Sequence, residues 1–127
     1  NKKVAINVVA FGARDQSTRD NFRNEVLQLI HSTATVDRPV DRGSRICHYY
    51  GMFTRQHDAC VVMKRYKQSL QQHIPATQPP RGLPMEECLR IGVQMAEGLQ
   101  SLHACEVTAQ DLKPDNVLMD RKNNIVL

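Results

Sequence analysis

The sequence holds no tryptophan and few aromatics of any kind, three tyrosines and three phenylalanines in 127 residues. No apolar run approaches the ~18 residues that a membrane span requires, and no secretory leader is visible. There is no block of Lys and Arg with interleaved aromatics. The 17 basic and 13 acidic residues are dispersed and leave a net charge of +4, which argues against nucleic acid as a partner. The cysteines Cys47, Cys60, Cys88 and Cys105 form no Cys-x-x-Cys, so neither a zinc site nor a redox pair is signalled. They read as unpaired buried thiols of a reducing compartment, the cytoplasm. With 41% hydrophobic and 24% charged residues, the chain has the composition of a soluble globular protein and the length of one domain. Its first residue is Asn1, and both ends fall in apolar, strand-like runs, as expected of an excerpt from a longer protein.

Residues 3–11 (KVAINVVAF) are short, rich in Val and Ile, and predict a strand. Residues 20–31 (DNFRNEVLQLIH) place Phe22, Val26, Leu29 and Ile30 at spacings of four, three and one, an amphipathic helix. Residues 32–45, with Pro39 and Gly43, read as a loop. Two strands are expected over 46–53 and 59–63, joined by the polar turn 54–58. Residues 75–84 carry four prolines and form the clearest loop. The strongest helix follows over 84–103, where Leu89, Val93, Ala96, Leu99 and Leu102 make one apolar stripe. Glu86 and Glu87 suit its positive N-terminal end. Residues 116–127 (NVLMDRKNNIVL) are two apolar runs around a charged, Asn-containing turn and predict a β-hairpin. Strand, helix, two strands, helices and hairpin make an α+β pattern.

Between the long helix and the hairpin lies Ala109-Gln110-Asp111-Leu112-Lys113-Pro114-Asp115-Asn116. This stretch resembles the catalytic loop of protein kinases, His-Arg-Asp-Leu-x-x-x-Asn, with Asp and Asn at the required separation. In such a loop the Asp faces the substrate hydroxyl and the Asn turns back to hold magnesium against the nucleotide phosphates. Five fixed residues at these spacings would recur by chance in about 10⁻⁵–10⁻⁴ of chains this long. A helix ending in Leu-His upstream and a hairpin downstream give the motif its required context.

The resemblance covers nearly the whole chain and implies an incomplete two-lobed, protein-kinase-like fold. About 1–63 would be the small lobe, 64–70 the hinge, and 71–127 the start of the large lobe, with the catalytic loop at 109–116. Phe22-Arg23-Asn24-Glu25-Val26 looks like the kinase C-helix, whose Glu pairs with a strand Lys; Glu25 would take that place. Residues 59–70 (ACVVMKRYKQSL) resemble the fifth strand and hinge, with Met63 as gatekeeper and Lys64–Tyr66 binding adenine through backbone. Ala5 and Leu118 would sandwich the adenine of ATP. Asp111 would be the catalytic base, Lys113 its neighbour, and Asn116 the Mg2+ ligand. Lys113 in Asp-Leu-Lys-Pro is the form usual in serine/threonine kinases, which implies protein Ser/Thr substrates. In the family the helix over 84–103 is covered by further helices, and an Asp-Phe-Gly stands shortly beyond the hairpin.

Three residues depart from the family pattern. Asn7 stands where the strand motif Val-Ala-Ile-Lys has its Lys. It is uncharged and too short to reach both phosphates and Glu25. Lys3 shares its face of the strand but lies about 13 Å away at ~3.3 Å per residue. Gln110 replaces the Arg that commonly pairs with a phosphorylated activation loop, and Ala109 replaces the His whose ring packs under the Asp-Phe-Gly phenylalanine. Three functions are open: an active phosphotransferase, a pseudokinase that keeps the fold as a binding or scaffolding module, and a kinase with its cation supplied from another position.

Overall fold

The computed structural model describes residues 3–12, 15–34, 45–74, 82–109 and 111–127. These divide into two compact units, one within Asn1–Arg42 and His48–Arg65, the other within Gly43–Cys47 and Tyr66–Leu127. The parts of the expected loops over 35–44 and 75–81, and Gln110, lie outside the described residues.

The first unit is a three-stranded antiparallel sheet with one helix. Strands β1 (Val4–Ala10), β2 (Tyr49–Arg55) and β3 (Asp58–Lys64) are ordered β1-β3-β2. The middle strand is the one whose sequence is apolar without alternation. Ala59, Cys60 and Val61 are all buried, as both faces of a central strand are covered. β1 is an edge strand among the described residues, and Val4, Ile6 and Val8 on one of its faces are 44%, 53% and 56% exposed. Helix α1 (Gln16–Ala34) is longer at both ends than its apolar spacing predicts. Its start is set by Asp15, whose carboxylate accepts from the Thr18 amide at 2.8 Å. The same Thr18 contacts hold the Asp15 carboxyl below its ordinary range. The helix packs on β2 and buries Val26. Phe22 meets Phe11 edge to face with ring centroids 5.3 Å apart, the geometry that ring quadrupoles favour.

In the second unit the predicted hairpin forms between β5 (Leu118–Met119) and β6 (Ile125–Val126). A strand the sequence did not reveal, β4 (Gln68–Ser69), pairs with β5 and runs directly into the short helix α2 (Leu70–His73). On the other side, Arg45 O accepts from Leu127 N at 2.8 Å and Cys47 N donates to Leu127 O at 2.6 Å, extending the ladder. The core is Leu70, Ile91, Val117, Met119 and Ile125. Met119 and Ile125 are fully buried and Val117 is almost so.

Helix α3 (Met85–Ala104) packs on β6 through a face different from the stripe read in its sequence. Its buried residues are Ile91, Gln94, Gly98 and Leu102. Of the stripe, Leu102 is buried, Leu99 is half-buried, and Ala96 is exposed. Leu89 and Val93 are 63% and 60% exposed. Two polar or small residues explain the choice of face. Gln94 Oε1 accepts the Ile125 amide at 2.8 Å, and its Nε2 donates to Asn124 Oδ1 at 3.4 Å, so the buried amide is satisfied. A Cβ on Gly98 would lie 2.8 Å from Leu127 Cδ1, so a larger residue there would have to push the Leu127 side chain aside.

The thiols correct a further expectation. Cys47 and Cys60 are buried, but Cys105 is half-buried and Cys88 is exposed, and all four are free. Burial pushes the Cys47 thiol up to about 12, against the opposing hydrogen bond with Tyr66.

Candidate active site

Helix α3 ends in a chain reversal that launches the motif-bearing loop. Glu106 N donates to His103 O at 3.0 Å and Val107 N to Leu102 O at 3.0 Å, the paired bonds of a Schellman motif. Glu106, with φ of 59°, takes the left-handed position that glycine usually fills. The loop then closes on itself. Asn116 N donates to Lys113 O at 2.9 Å, a turn with Pro114 at the second position that favours proline.

The loop is fastened to α2. Leu70 N donates to Val117 O at 2.7 Å and Gln71 N to Pro114 O at 3.1 Å. Both are amides of a helix start, which have no partner within their own helix. The next amide, Gln72 N, is taken by Ser69 Oγ at 3.3 Å, while Gln72 Oε1 accepts from Ser69 N at 3.0 Å. This reciprocal capping box orients α2 so that its other amides serve the loop. Ser69 and Gln72 were missed as positioning residues in the sequence. Their signal was present as Ser-x-x-Gln, but it sits beside a proline-rich stretch with too few apolar residues to mark a helix.

Within the loop, Asp111, Lys113 and Asn116 come together. Asn116 Nδ2 donates to the Asp111 backbone oxygen at 2.9 Å and to its Oδ2 at 3.1 Å. Since both partners are acceptors, the amide can be oriented only one way, which leaves Asn116 Oδ1 without a partner among the described residues. Lys113 Nζ lies 3.1 Å from the same Asp111 Oδ2. Among the described residues, every side-chain contact to the Asp111 carboxylate therefore falls on Oδ2, and Oδ1 has none. All three residues are exposed, and Ala109 at the start of the loop is half-buried. Leu118 follows in β5, half-buried and paired with Ser69 and Val126.

The remaining predicted site residues lie in the first unit, apart from Tyr66. Ala5 is half-buried in β1 opposite Met63, and Asn7 is exposed opposite Val61. With alternation along the strand, Ala5 and Asn7 share one face. Lys64 ends β3, its amide donating to His48 O at 2.8 Å. Tyr66 belongs to the second unit and is half-buried beside Cys47. Glu25 is exposed on α1. The side chains of Asn7 and Glu25 have no hydrogen bond or ion pair among the described residues. As a donor set for a hard cation, the second unit offers the amide oxygen of Asn116 and the carboxylate of Asp111. Both are oxygen ligands of the kind magnesium takes.

Comparison with known proteins bears on the chain as a whole. Residues 1–127 match the family described as protein kinase domain. A dual serine/threonine and tyrosine protein kinase from Tetraodon nigroviridis is 31% identical over 108 residues, 82% of this chain and 11% of that protein. The serine/threonine-protein kinase prp4 from Schizosaccharomyces pombe is 30% identical over 81 residues, 64% of this chain and 17% of that protein. The E3 ubiquitin-protein ligase KEG from Arabidopsis thaliana is 30% identical over 82 residues, 65% of this chain and 5% of that protein. The chain thus spans a small part of the length of each of these relatives. With an α+β architecture, an incomplete kinase fold and the Asp-Leu-Lys-Pro-x-Asn loop, the chain belongs to the protein kinase domain family.

Proposed function

We propose that the full protein is a protein kinase of the reducing cytoplasm, transferring the γ-phosphoryl group of ATP to Ser or Thr of protein substrates. The observation that carries this reading is the one-sided engagement of Asp111. Asn116 and Lys113 both contact Oδ2, fixing the carboxylate while leaving Oδ1 to accept a hydroxyl proton. The substrate oxygen then bonds to the γ-phosphorus as the bond to the β-γ bridging oxygen breaks, and ADP leaves. Lys113 offsets the charge on the carboxylate and offers further donors to the transferring phosphoryl group. Asn116 would hold magnesium through Oδ1, with its Nδ2 kept in place by Asp111. Magnesium, when bound, neutralises charge developing on the phosphates. Ala5, Met63 and Lys64 of the first unit would contact the adenine.

A second reading is favoured by Asn7. The strand position that should supply a cation to the phosphates and to Glu25 carries a neutral amide, and neither Asn7 nor Glu25 has a partner among the described residues. On this reading the domain is a pseudokinase that binds or scaffolds. The two separate in a phosphoryl-transfer assay on the full-length protein, wild type against Asp111→Asn. Incorporation of phosphate that the substitution abolishes supports the enzyme. No incorporation by the wild type, with the protein folded, rules it out and leaves the pseudokinase.

A further inference from the structure

The turn between β5 and β6 is held far more firmly than its exposure requires. Asp120 Oδ1 accepts from the amides of Lys122 and Asn124 at 2.8 Å each, and Oδ2 accepts from Asn124 Nδ2 at 3.1 Å. Burial pushes the Asp120 carboxyl up, but the amides of Asn124 and Lys122 and the Lys122 charge outweigh it and hold the group below its ordinary range. Two cations from outside the turn close on Asn123. Lys67 Nζ donates to its side-chain oxygen at 3.0 Å, and Arg90 Nη1 to its backbone oxygen at 3.0 Å. Lys67 is itself tied to β5, its amide donating to Met119 O at 2.9 Å.

The result is a fixed platform of positive charge. Lys67, Arg121 and Lys122 are exposed, and Arg90 is partly so. Of the carboxylates nearby, Asp120 accepts three hydrogen bonds within the turn, and Glu87 is engaged by His73 at 2.7 Å and Arg90 at 3.6 Å. Arg121 has no hydrogen bond or ion pair among the described residues. An ordinary charged face mixes signs and pays side-chain entropy when it binds. Here the backbone carrying the cations is already ordered, which lowers that cost.

We propose that Lys67, Arg121 and Lys122 form a docking surface for a carboxylate-rich peptide segment of a protein partner. Arg121 offers the planar fork that pairs two ways with a carboxylate, and Lys67, held against Asn123, and Lys122 add point charges. The turn Asp120-Arg121-Lys122-Asn123 contains no aromatic on which a base could stack. It also carries no apolar side chain that could enter a membrane, since Met119 and Ile125 flanking it are fully buried. Peptide carboxylates fit it better than nucleic acid or lipid.

The test uses the full-length protein and a fluorescent polyglutamate peptide, with affinity read by anisotropy at low and at physiological salt. Arg121→Glu/Lys122→Glu should weaken binding by about tenfold or more and flatten the salt dependence. Arg55→Glu, a single charge reversal on the exposed end of β2, should leave affinity within about twofold. If the reversed pair proves misfolded by circular dichroism, Arg121→Ala/Lys122→Ala should still weaken binding several-fold. An unchanged affinity in the folded variants overturns the proposal, as does an equal loss in Arg55→Glu. Equal or tighter binding of single-stranded DNA or anionic vesicles at the same site also overturns it, showing a general polyanion surface.

Discussion

In the loop after α3, three polar side chains hold one another and the backbone around them is held by α2. Asp111, Lys113 and Asn116 are linked at 2.9–3.1 Å, and Pro114 and Val117 lend their oxygens to helix amides. In the sheet of the first unit, by contrast, Asn7 stands exposed on an edge strand and Glu25 is exposed on α1, each without a side-chain partner among the described residues. The two regions differ in where organisation comes from. The loop's geometry is local, within residues 69–72 and 106–119, so the chain supplies it alone. In the family a strand Lys joins the strand to the helix Glu, and Asn7 does not supply that cation. Order in the loop after α3 is therefore independent of what happens at position 7.

The sharpest way to break this comparison is at Asp111. If the loop is a working catalytic element, Asp111→Asn in the full-length protein lowers phosphoryl transfer by ~10²–10⁴-fold with the melting temperature almost unchanged, because the residue is exposed. A variant that kept activity would remove the loop from the chemistry. The next effect is on stability. Met119 is fully buried under α3 and the loop, so Met119→Ala should cost about 2–5 kcal/mol in denaturant unfolding. Ile6→Ala, on the exposed face of β1, should cost less than about 1 kcal/mol. Equal losses would mean that β1 is covered in the full protein, and that its exposed face is a contact surface.

At Asn7 the comparison can be tested in the opposite direction, by adding the missing group. If the site has simply lost its Lys, Asn7→Lys pairs with Glu25 and strengthens magnesium–ATP binding. A charge-assisted contact of that kind contributes ~1.5–3 kcal/mol, or roughly ten- to a hundredfold in affinity. Calorimetry on the full-length protein gives the answer. Tight wild-type binding that the substitution fails to improve would show that another cation already serves the phosphates. A smaller effect is expected at Ser69, the anchor of α2. Ser69→Ala removes the capping acceptor of Gln72 N and should destabilise by about 1 kcal/mol. Because α2 orients the loop, activity should fall with it, whereas Ser69→Thr, which keeps the hydroxyl, should retain both.

Much of the architecture was legible because it rests on local pattern. The strand rich in Val and Ile, the amphipathic spacing in α1, the length of α3 and the hairpin all follow from side-chain periodicity, and the loop motif was readable from residue types alone. What escaped was set by tertiary partners. The buried face of α3 is chosen by Gln94 bonding the Ile125 amide and by the space at Gly98, and neither residue is hydrophobic enough to register in a stripe. β4 has two residues and exists only because β5 lies beside it. The exposure of Cys88 depends on which side of α3 is covered, which composition does not encode. For the candidate site, the motif residues Asp111, Lys113 and Asn116 were visible, but the fastening of their loop through Ser69, Gln72 and the amides of α2 was hidden in a stretch with too few apolar residues to mark a helix.

The smallest predicted effect is at Glu106, where the loop's local order is bought against a backbone penalty. Its φ of 59° puts Cβ close to the neighbouring carbonyl, a cost of roughly 1–2 kcal/mol for a residue with a side chain. The Schellman bonds to His103 O and Leu102 O offset that cost. Glu106→Gly relieves it while keeping both bonds, but glycine also gives the unfolded chain more freedom. The balance should be a gain of ~0.5–1 kcal/mol, seen as a rise of a few degrees in melting temperature. Removing the exposed carboxylate from the C-terminal end of α3 acts in the same direction, since a negative charge there opposes the helix dipole. Glu106→Gln isolates that charge effect, so the difference between the two variants measures the relief of backbone strain less the added freedom of the unfolded chain. A Glu106→Gly protein no more stable than Glu106→Gln would show that the strain stored in the left-handed turn does not exceed the entropy that glycine adds to the unfolded chain.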